Sequence, residues 1–248
     1  MKLSYGFSAI ASGALCLSLT SGSALAEANE ADTQPVLIEL FSNQNCGACP
    51  KANAYVIDLY EAGEAFPIVW SVPYWDYLGW KDTFARPEFA DRQRDYAENF
   101  ALRGPYTPQI VVDGCAQASG MSEEAVAAKL KKTAAEPDSG LRFEIDAGSV
   151  SVTAASDSPE AVTLWLIGYK PGLTEITPTS GGNADKALVH VNMATSLTRL
   201  GEWSGEGATE FSYTCPDEAC LIIAQEEGLG DILAYQRVPS QTASGSST

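Results

Sequence analysis

Two cysteines stand two residues apart where an apolar run meets a helical pattern, and this junction constrains the fold more than any other part of the chain. Residues 36–41 predict a buried strand and residues 51–62 a helix, with Cys46-Gly47-Ala48-Cys49-Pro50 between them. The free N–H groups and the positive dipole end of a helix start both stabilise a thiolate. Two intervening residues also let the second sulfur reach the first. The junction therefore predicts a strand–turn–helix unit and indicates thiol–disulfide chemistry.

Cys46 and Cys49 have three possible roles: a redox pair, a structural disulfide or half of a metal site. A structural zinc site takes four ligands, whereas the chain has one histidine, His190, and no second Cys-X-X-Cys pair. A purely structural disulfide more often bridges distant segments. The redox pair is favoured, with Cys46 as the attacking thiolate and Cys49 as the resolving thiol. No metal or cofactor is predicted.

The N-terminus has the pattern of a signal peptide, predicted as residues 1–26. Lys2 gives a basic start, residues 9–19 form an apolar stretch too short to span a bilayer, and Ala24-Leu25-Ala26 is a small-residue cleavage site. We therefore expect a periplasmic or secreted protein with no stable membrane insertion after cleavage.

The chain is strongly acidic. Its formal net charge is −17, and it becomes −18 when Lys2, the only charged residue of the signal peptide, is removed. Such a charge repels nucleic acid and anionic lipid, so neither is expected as a partner. The same charge is usual for a soluble exported protein and does not identify a substrate.

The first half of the mature chain alternates strands and helices. After the first βα unit, the Asp113-Gly114 pair predicts a hairpin turn. The predicted elements after that unit are a parallel strand at 66–72, a helix at 87–102, hairpin strands at 109–112 and 115–119, and a helix at 122–134. The order β-α-β-α-β-β-α predicts an α/β domain over residues 36–136.

The second half is predicted to be mostly β. Its pattern changes to alternating apolar residues, such as Leu141, Phe143 and Ile145. We expect a β-rich, sandwich-like domain at residues 141–239, packed on the first. A flexible leader at 27–35 and a disordered tail at 240–248 are expected on either side of these domains.

Thr107-Pro108 and Glu39 are the next candidates for the site. Most cis peptides precede proline, and a cis Thr107-Pro108 bond would let the backbone run beside the Cys-X-X-Cys turn. Glu39 is a carboxylate in an apolar strand, where burial is costly and raises the pKa of an acid. It either accepts the proton of Cys49 during resolution or lies exposed at a sheet edge.

Aromatic side chains follow the second strand. Trp75, Asp76 and Trp80 lie in the 73–80 loop, on the carboxyl-end side of the sheet that the cysteines share. They either form a substrate-binding wall or bury the interface with the β-rich half. His190 alternates with valines in a strand and is interpreted as a hydrogen-bonded structural residue.

Three further cysteines remain in the mature chain. Cys215 and Cys220, separated by Pro216-Asp217-Glu218-Ala219, predict a local structural disulfide across a tight turn. Cys115 is left over. It is either a buried thiol, the favoured interpretation, or a third redox sulfur near Cys46.

Two sets of motifs resemble known families. The Val36-Leu37-Ile38-Glu39 strand, the Cys46-Gly47-Ala48-Cys49 turn and Thr107-Pro108 resemble the thioredoxin superfamily. Asn45 and Ala48 depart from its pattern, which has Trp before the first cysteine and Pro before the second. A family of secreted thioredoxin-like bacterial proteins, catalogued as a domain of unknown function, is more similar still. Its shared motifs are Glu39-Leu40-Phe41-Ser42, Cys49-Pro50, residues 74–82, Tyr106-Thr107-Pro108-Gln109, residues 111–114 and His190-Val191-Asn192.

The resemblance implies a thioredoxin-like fold with a C-terminal β-rich extension, and it supplies no substrate. The leading hypothesis is an exported thiol–disulfide oxidoreductase that acts on protein or small-molecule thiols and disulfides. In it, Thr107 and Pro108 shape the substrate groove and Glu39 moves the resolving proton. A binding protein that holds a ligand or a soft metal such as Cu(I) is the alternative. An interaction module whose cysteines stay oxidised is the third.

Overall fold

The computed structural model describes residues 34–155 and 161–238, together with Met1. The predicted signal peptide, most of the leader and the predicted tail lie outside the described residues. The described residues from Pro35 to Val238 belong to one compact unit. Within the described part of the chain, no helix is long and apolar enough to cross a membrane.

The first half has the predicted order of elements. The parallel pairing of the first two strands and the antiparallel β3–β4 hairpin are both confirmed. The elements are β1 (Val36–Ser42), α1 (Cys49–Glu61), β2 (Ala65–Ser71), a 3-10 helix (Pro73–Leu78), α2 (Pro87–Asn99), β3 (Gln109–Val112), β4 (Ala116–Ser119) and α3 (Glu123–Thr133).

The second half consists of strands, as the alternating pattern predicts. Two of them, β7 and β8, are much longer than the apolar runs that indicate them. The strands are β5 (Leu141–Asp146), β6 (Ser149–Ala154), β7 (Val162–Ile176), β8 (Leu188–Trp203), β9 (Thr209–Ser212), β10 (Ala219–Glu226) and β11 (Ile232–Val238).

The two halves share one large mixed sheet. Its strand order is β11-β10-β7-β8-β2-β1-β3-β4, and a second, small sheet has the order β5-β6-β9. The junction lies between β2 and β8, where Val69 is opposite Met193. This arrangement differs from the predicted β-rich domain packed on the first. Without β8, the edge of β2 would expose unpaired backbone N–H and C=O groups. The strand β8 occupies that edge.

The core lies on both faces of the large sheet. Leu37 and Phe41 of β1 belong to an apolar cluster with residues of α2, whereas Ile38 and Leu40 belong to another cluster with residues of α1. Because side chains alternate along a strand, Glu39 lies on the α2 face of the sheet. A third cluster packs the small sheet against the strands of the second half.

The β7–β8 hairpin bends where it leaves the sheet. Asn192 has a positive φ of 44°, and the pairing register shifts opposite it, between Lys170 and Leu173. The Asn192 side chain stabilises the bend, since Oδ1 accepts from Gly172 N (2.9 Å) and Nδ2 donates to Pro67 O (3.0 Å). We call residues 173–191, beyond the bend, the hairpin arm. The arm packs against α1.

Candidate active site

The Cys-X-X-Cys turn lies at the carboxyl end of β1 and runs into α1. Cys46 and Cys49 form a disulfide, and α1 begins at Cys49. No side chain caps this helix, because its N-cap is Ala48 and its first turn has no acidic residue. The helix start therefore remains available to stabilise a negative charge on sulfur. Both cysteines are buried, and Cys46 is 3% exposed.

Buried amides fix the turn that precedes the disulfide. Asn43 Nδ2 donates to Val72 O (2.7 Å), and Asn43 Oδ1 accepts from Asn45 N (2.6 Å). Asn45 donates from Nδ2 to Trp80 O (2.6 Å). The Asp82 carboxylate accepts from the backbone N–H of Gln44 (2.8 Å). Burial raises the pKa of Asp82, and its backbone hydrogen bonds lower it.

The hairpin arm of the second half covers this turn. Asn183 Nδ2 donates to both Gln44 O and Cys46 O, at 3.0 Å each. Gly181 and Gly182 approach Asn45 so closely that a Cβ would lie 2.0 Å from Asn45 Oδ1 or 2.6 Å from Asn45 O, respectively. Only glycine fits at these two positions. Residues 181–183 of the hairpin arm thus cover the cysteine turn, although they lie more than a hundred residues downstream of it. We call these three residues the roof.

Thr107-Pro108 lies beside the same end of β1. Its peptide bond is cis, as predicted. The next residue, Gln109, pairs with Phe41 of β1. Gly120 separates Pro108 from α1, since a Cβ there would lie 2.8 Å from the Cβ of Ala52 and 3.1 Å from that of Pro108. Pro108 is therefore close to the first turn of the helix that carries the cysteines.

In the aromatic loop, residues 73–80, two tryptophans contact the site and one tyrosine is exposed to solvent. Trp75 Nε1 donates to Thr107 Oγ1 (2.7 Å), and Trp80 Nε1 donates to Gln44 Oε1 (2.6 Å). Tyr77, in contrast, is 77% exposed. Asp76 accepts from Asp82 N (3.2 Å). The loop therefore contacts the site through Trp75 and Trp80 and leaves the Tyr77 ring exposed to solvent. A substrate-binding role for the loop stays a prediction.

Glu39 is buried in the sheet and paired with an arginine. Arg92 of α2 donates from Nε to Glu39 Oε2 (2.7 Å) and from Nη2 to Oε1 (2.9 Å), and the Tyr96 hydroxyl donates to Oε1 (2.5 Å). Gln225 of β10 accepts from Arg92 Nη2 (3.1 Å). The alternative of an exposed carboxylate at a sheet edge is wrong, because β1 lies between β2 and β3. The proton-acceptor role stays a prediction.

His190 lies on the hairpin arm next to Cys49. A small cavity separates them, and Cys49, Asn53 and His190 are among the residues that line it. The imidazole is 2% exposed. Burial lowers its pKa to about 4, and the nearby backbone of Thr174 and Leu188 opposes that shift. At neutral pH the ring is therefore uncharged.

The remaining described cysteines differ in bonding and in exposure. Cys215 and Cys220 form the predicted local disulfide. Cys115 is free and exposed, so the favoured interpretation of a buried thiol is wrong. The β3–β4 turn that carries it leaves the side chain at the surface. Partial burial raises its pKa, and a hydrogen bond with Thr133 lowers it.

Sequence reasoning missed the arm residues of the site. Asn183 has no sequence signal beyond the two glycines before it, and Asn53 looks like any polar helix residue. His190 was interpreted as structural because its strand pattern says nothing about which helix the strand packs against. Among the described residues, no three His, Cys, Asp or Glu side chains cluster as a metal site.

Comparisons with known proteins give a family and a fold. The sequence model described as "Protein of unknown function (DUF1223)" matches residues 37–225. The crystal structure of protein AGR_C_4864 from Agrobacterium tumefaciens is similar with a TM-score of 0.66 and 18% identity, over 86% of this chain and 97% of that one. HBP35 of Porphyromonas gingivalis is similar with a TM-score of 0.54 and 14% identity, over 87% and 79%. No curated protein matches the sequence.

Proposed function

Because the chain belongs to the DUF1223 family of proteins of unknown function, we propose its activity from the geometry of the site: it is a thiol–disulfide oxidoreductase with a thioredoxin-like first half. The observation that carries this proposal is the Cys46–Cys49 disulfide at an uncapped helix start. The order of elements in the first half and the position of Thr107-Pro108 beside that helix support the thioredoxin-like assignment.

The reaction is an exchange of disulfides. In the reductive direction, the Cys46 thiolate attacks a substrate disulfide, and one substrate sulfur leaves as a thiolate. Cys49 then loses its proton and attacks Cys46 Sγ, which releases the second substrate sulfur with its electron pair. The substrate gains two electrons and the Cys46–Cys49 pair loses two. The reverse sequence oxidises a dithiol substrate.

The surroundings suit a substrate that approaches over the turn. Gly47 is exposed between the buried cysteines, and the exposed Tyr77 ring lies in the loop that contacts the site. A protein or small-molecule disulfide fits this description, with Thr107 and Pro108 on one side. Two disulfides are typical of proteins in an oxidising compartment, which supports a periplasmic or secreted location.

The test is thiol exchange by the purified protein. The reduced protein should reduce a model disulfide such as glutathione disulfide, and the rate should fall by at least about 1,000-fold in Cys46→Ser, since the nucleophile is lost. Cys115→Ser is the matched control and should keep the full rate. Unchanged exchange in Cys46→Ser would overturn the proposal.

A further inference from the structure

A cavity of about 10 Å³ lies between the start of α1 and the hairpin arm. Cys49, Pro50 and Asn53 line it from the helix, and Leu188 and His190 line it from the arm. A cavity of this size is at the lower limit for one water molecule. Such a water would lie beside the resolving cysteine.

Two residues that line this cavity each have a buried polar atom without a hydrogen-bond partner among the described residues. The atoms are Asn53 Oδ1 and His190 Nδ1. Both side chains are 2% exposed, so bulk solvent does not satisfy them. Asn53 uses its other end, Nδ2, to donate to Ser42 Oγ and Cys49 O, at 3.0 Å each. Buried polar atoms are rarely left unpaired, and a shared water satisfies both.

We propose that His190 and Asn53 hold one water beside Cys49 and that this water carries the proton of the resolving thiol to the imidazole. The inference rests on the proposed function and assigns a proton-transfer partner within it. In this proposal His190 contacts the water and not the reacting sulfur atoms. It is therefore a positioning residue, which acts on Cys49 through the water. The proposal also gives His190, the single histidine of the sequence, a role that the pattern of its strand does not reveal.

Two opposing electrostatic effects act on His190. Burial keeps the ring neutral at pH 7, so one ring nitrogen carries a lone pair, but the same burial disfavours the imidazolium. A thiolate formed at Cys49 supplies the opposite charge that favours the imidazolium. Among the described residues, no other titratable side chain lines the cavity. The charged groups of the elements packed around it lie at or near the surface: Lys51, Asp58 and Glu61 on α1, Lys170 and Glu175 on β7, and Asp185 and Lys186 before β8.

Glu39, the acceptor predicted from the sequence, is less suited to this task. It lies on the α2 face of the sheet, whereas α1 packs on the other face. Both of its oxygens are hydrogen-bonded to Arg92, and one also accepts from Tyr96. Both oxygens are therefore already engaged as hydrogen-bond acceptors on the face of the sheet away from α1.

The proton transfer accompanies the second disulfide exchange. The mixed disulfide joins Cys46 Sγ to a substrate sulfur, and Cys49 carries a thiol. The Cys49 proton passes through the water to His190 as Cys49 Sγ attacks Cys46 Sγ. The bond between Cys46 Sγ and the substrate sulfur breaks, and its electron pair leaves with the substrate thiolate. The imidazolium then returns its proton to solvent or to the departing thiolate.

The experiment separates the two sulfur steps in one measurement. The chain carries Cys115→Ser and also Cys16→Ser, which removes the one cysteine of the predicted signal peptide. With Cys46 and Cys49 reduced, it is mixed with the chromogenic disulfide dithiobis-nitrobenzoate in a stopped-flow instrument. The first release of thionitrobenzoate reports attack by Cys46, and the second reports resolution by Cys49. With His190→Asn, we expect an unchanged first phase and a second phase about 100-fold slower at pH 7. The difference should shrink in alkaline solution, where hydroxide removes the Cys49 proton directly.

Val191→Ala is the matched control for packing damage on β8. It removes buried apolar contacts without removing an ionisable group, so the pH profile of its second phase should keep the shape seen without the substitution. A normal first phase with an unchanged second phase in His190→Asn would overturn the role of His190 alone. Absence of the first phase in the protein with His190 intact would overturn the proposed function as well.

A second measurement needs no substitution at the site. Because His190 is the only histidine in the sequence, its ring resonances can be followed by NMR in the full chain without a histidine tag. With Cys46 alkylated and Cys49 free, we expect the ring resonances to shift between neutral and alkaline pH as the neighbouring Cys49 thiol loses its proton. With the disulfide closed, we expect no such shift. Identical titration in the two states would overturn the inference, whether or not His190→Asn folds.

Discussion

The two disulfides of this protein are equally buried and differ in what surrounds them. Cys46–Cys49 lies at a strand–helix junction, among side-chain amides and beside a neutral imidazole. Cys215–Cys220 closes the β9–β10 connection inside an apolar cluster with Leu141 and other side chains. Burial therefore does not distinguish a reactive bond from a structural one. The distinction lies in whether the surroundings can stabilise a thiolate and move a proton.

Selective reduction is the strongest test of this difference. We expect the equilibrium constant for reduction to favour the Cys46–Cys49 dithiol over the Cys215–Cys220 dithiol by at least about 100-fold, or roughly 60 mV. The helix start stabilises a thiolate at the first pair, whereas reducing the second pair leaves two thiols in an apolar cluster. The measurement is a redox titration in glutathione buffers, read by alkylation and mass spectrometry. Simultaneous reduction of the two pairs would contradict the comparison.

Acid should weaken the first region through His190. Its pKa in the folded protein is about 4, below the ordinary value of 6.5, so the stability it contributes is complete above pH 6.5 and is lost as the pH falls towards 4. Between pH 7 and pH 4.5 this loss is about 2–3 kcal/mol.

His190→Asn should remove that part of the pH dependence because asparagine does not titrate. The measurement is the free energy of unfolding in urea at both pH values, with the disulfides intact. The same fall in stability in both proteins would show that His190 does not ionise differently on folding.

Loss of the second disulfide should affect stability alone. With both Cys215 and Cys220 changed to serine, we expect the free energy of unfolding to fall by about 2 kcal/mol, because a short loop is no longer closed in the unfolded chain. The exchange rate of Cys46 and Cys49 should stay the same. Urea unfolding and exchange with glutathione disulfide measure the two effects. A large fall in exchange would mean that the second disulfide also supports the reaction.

Removing the roof of the first disulfide should have the smallest effect. Asn183→Ala loses the hydrogen bonds to Gln44 O and Cys46 O, which together contribute about 1–3 kcal/mol. We expect the Cys46–Cys49 bond to be reduced about 5- to 10-fold faster by a water-soluble phosphine.

The rate for Cys215–Cys220 should not change in the same protein. Asp185→Asn is the matched control in the same loop, because Asp185 is exposed and its positive φ of 59° suits asparagine. Equal acceleration by Asp185→Asn would assign the effect to loop disturbance rather than to the roof.

Local patterns were sufficient to predict the parts of the site that lie close together in sequence. The β1–α1 junction, the Cys46–Cys49 pair and the β3–β4 hairpin are all short-range features, and the structure has them where the pattern indicates. The strands of the second half were also predictable from alternation. Their continuation of the first sheet was not, because periodicity does not encode which edge a strand will join.

Long-range partners explain the other differences. Glu39 has two interpretations from the sequence because its partner, Arg92, is 53 residues away on a helix that packs on the same face. Asn183 is 137 residues from the cysteine that it covers. His190 lines a cavity with α1 residues that lie more than a hundred positions before it in the chain.

The cover that the hairpin arm gives to the cysteine turn also has a consequence for the order in which the protein is made. A ribosome releases the Cys46–Cys49 turn long before it releases Asn183 and His190, which arrive with the second half. Until then the two sulfurs have no roof. The newly made first half therefore presents uncovered cysteines during synthesis, and the site is completed only when the hairpin arm has emerged.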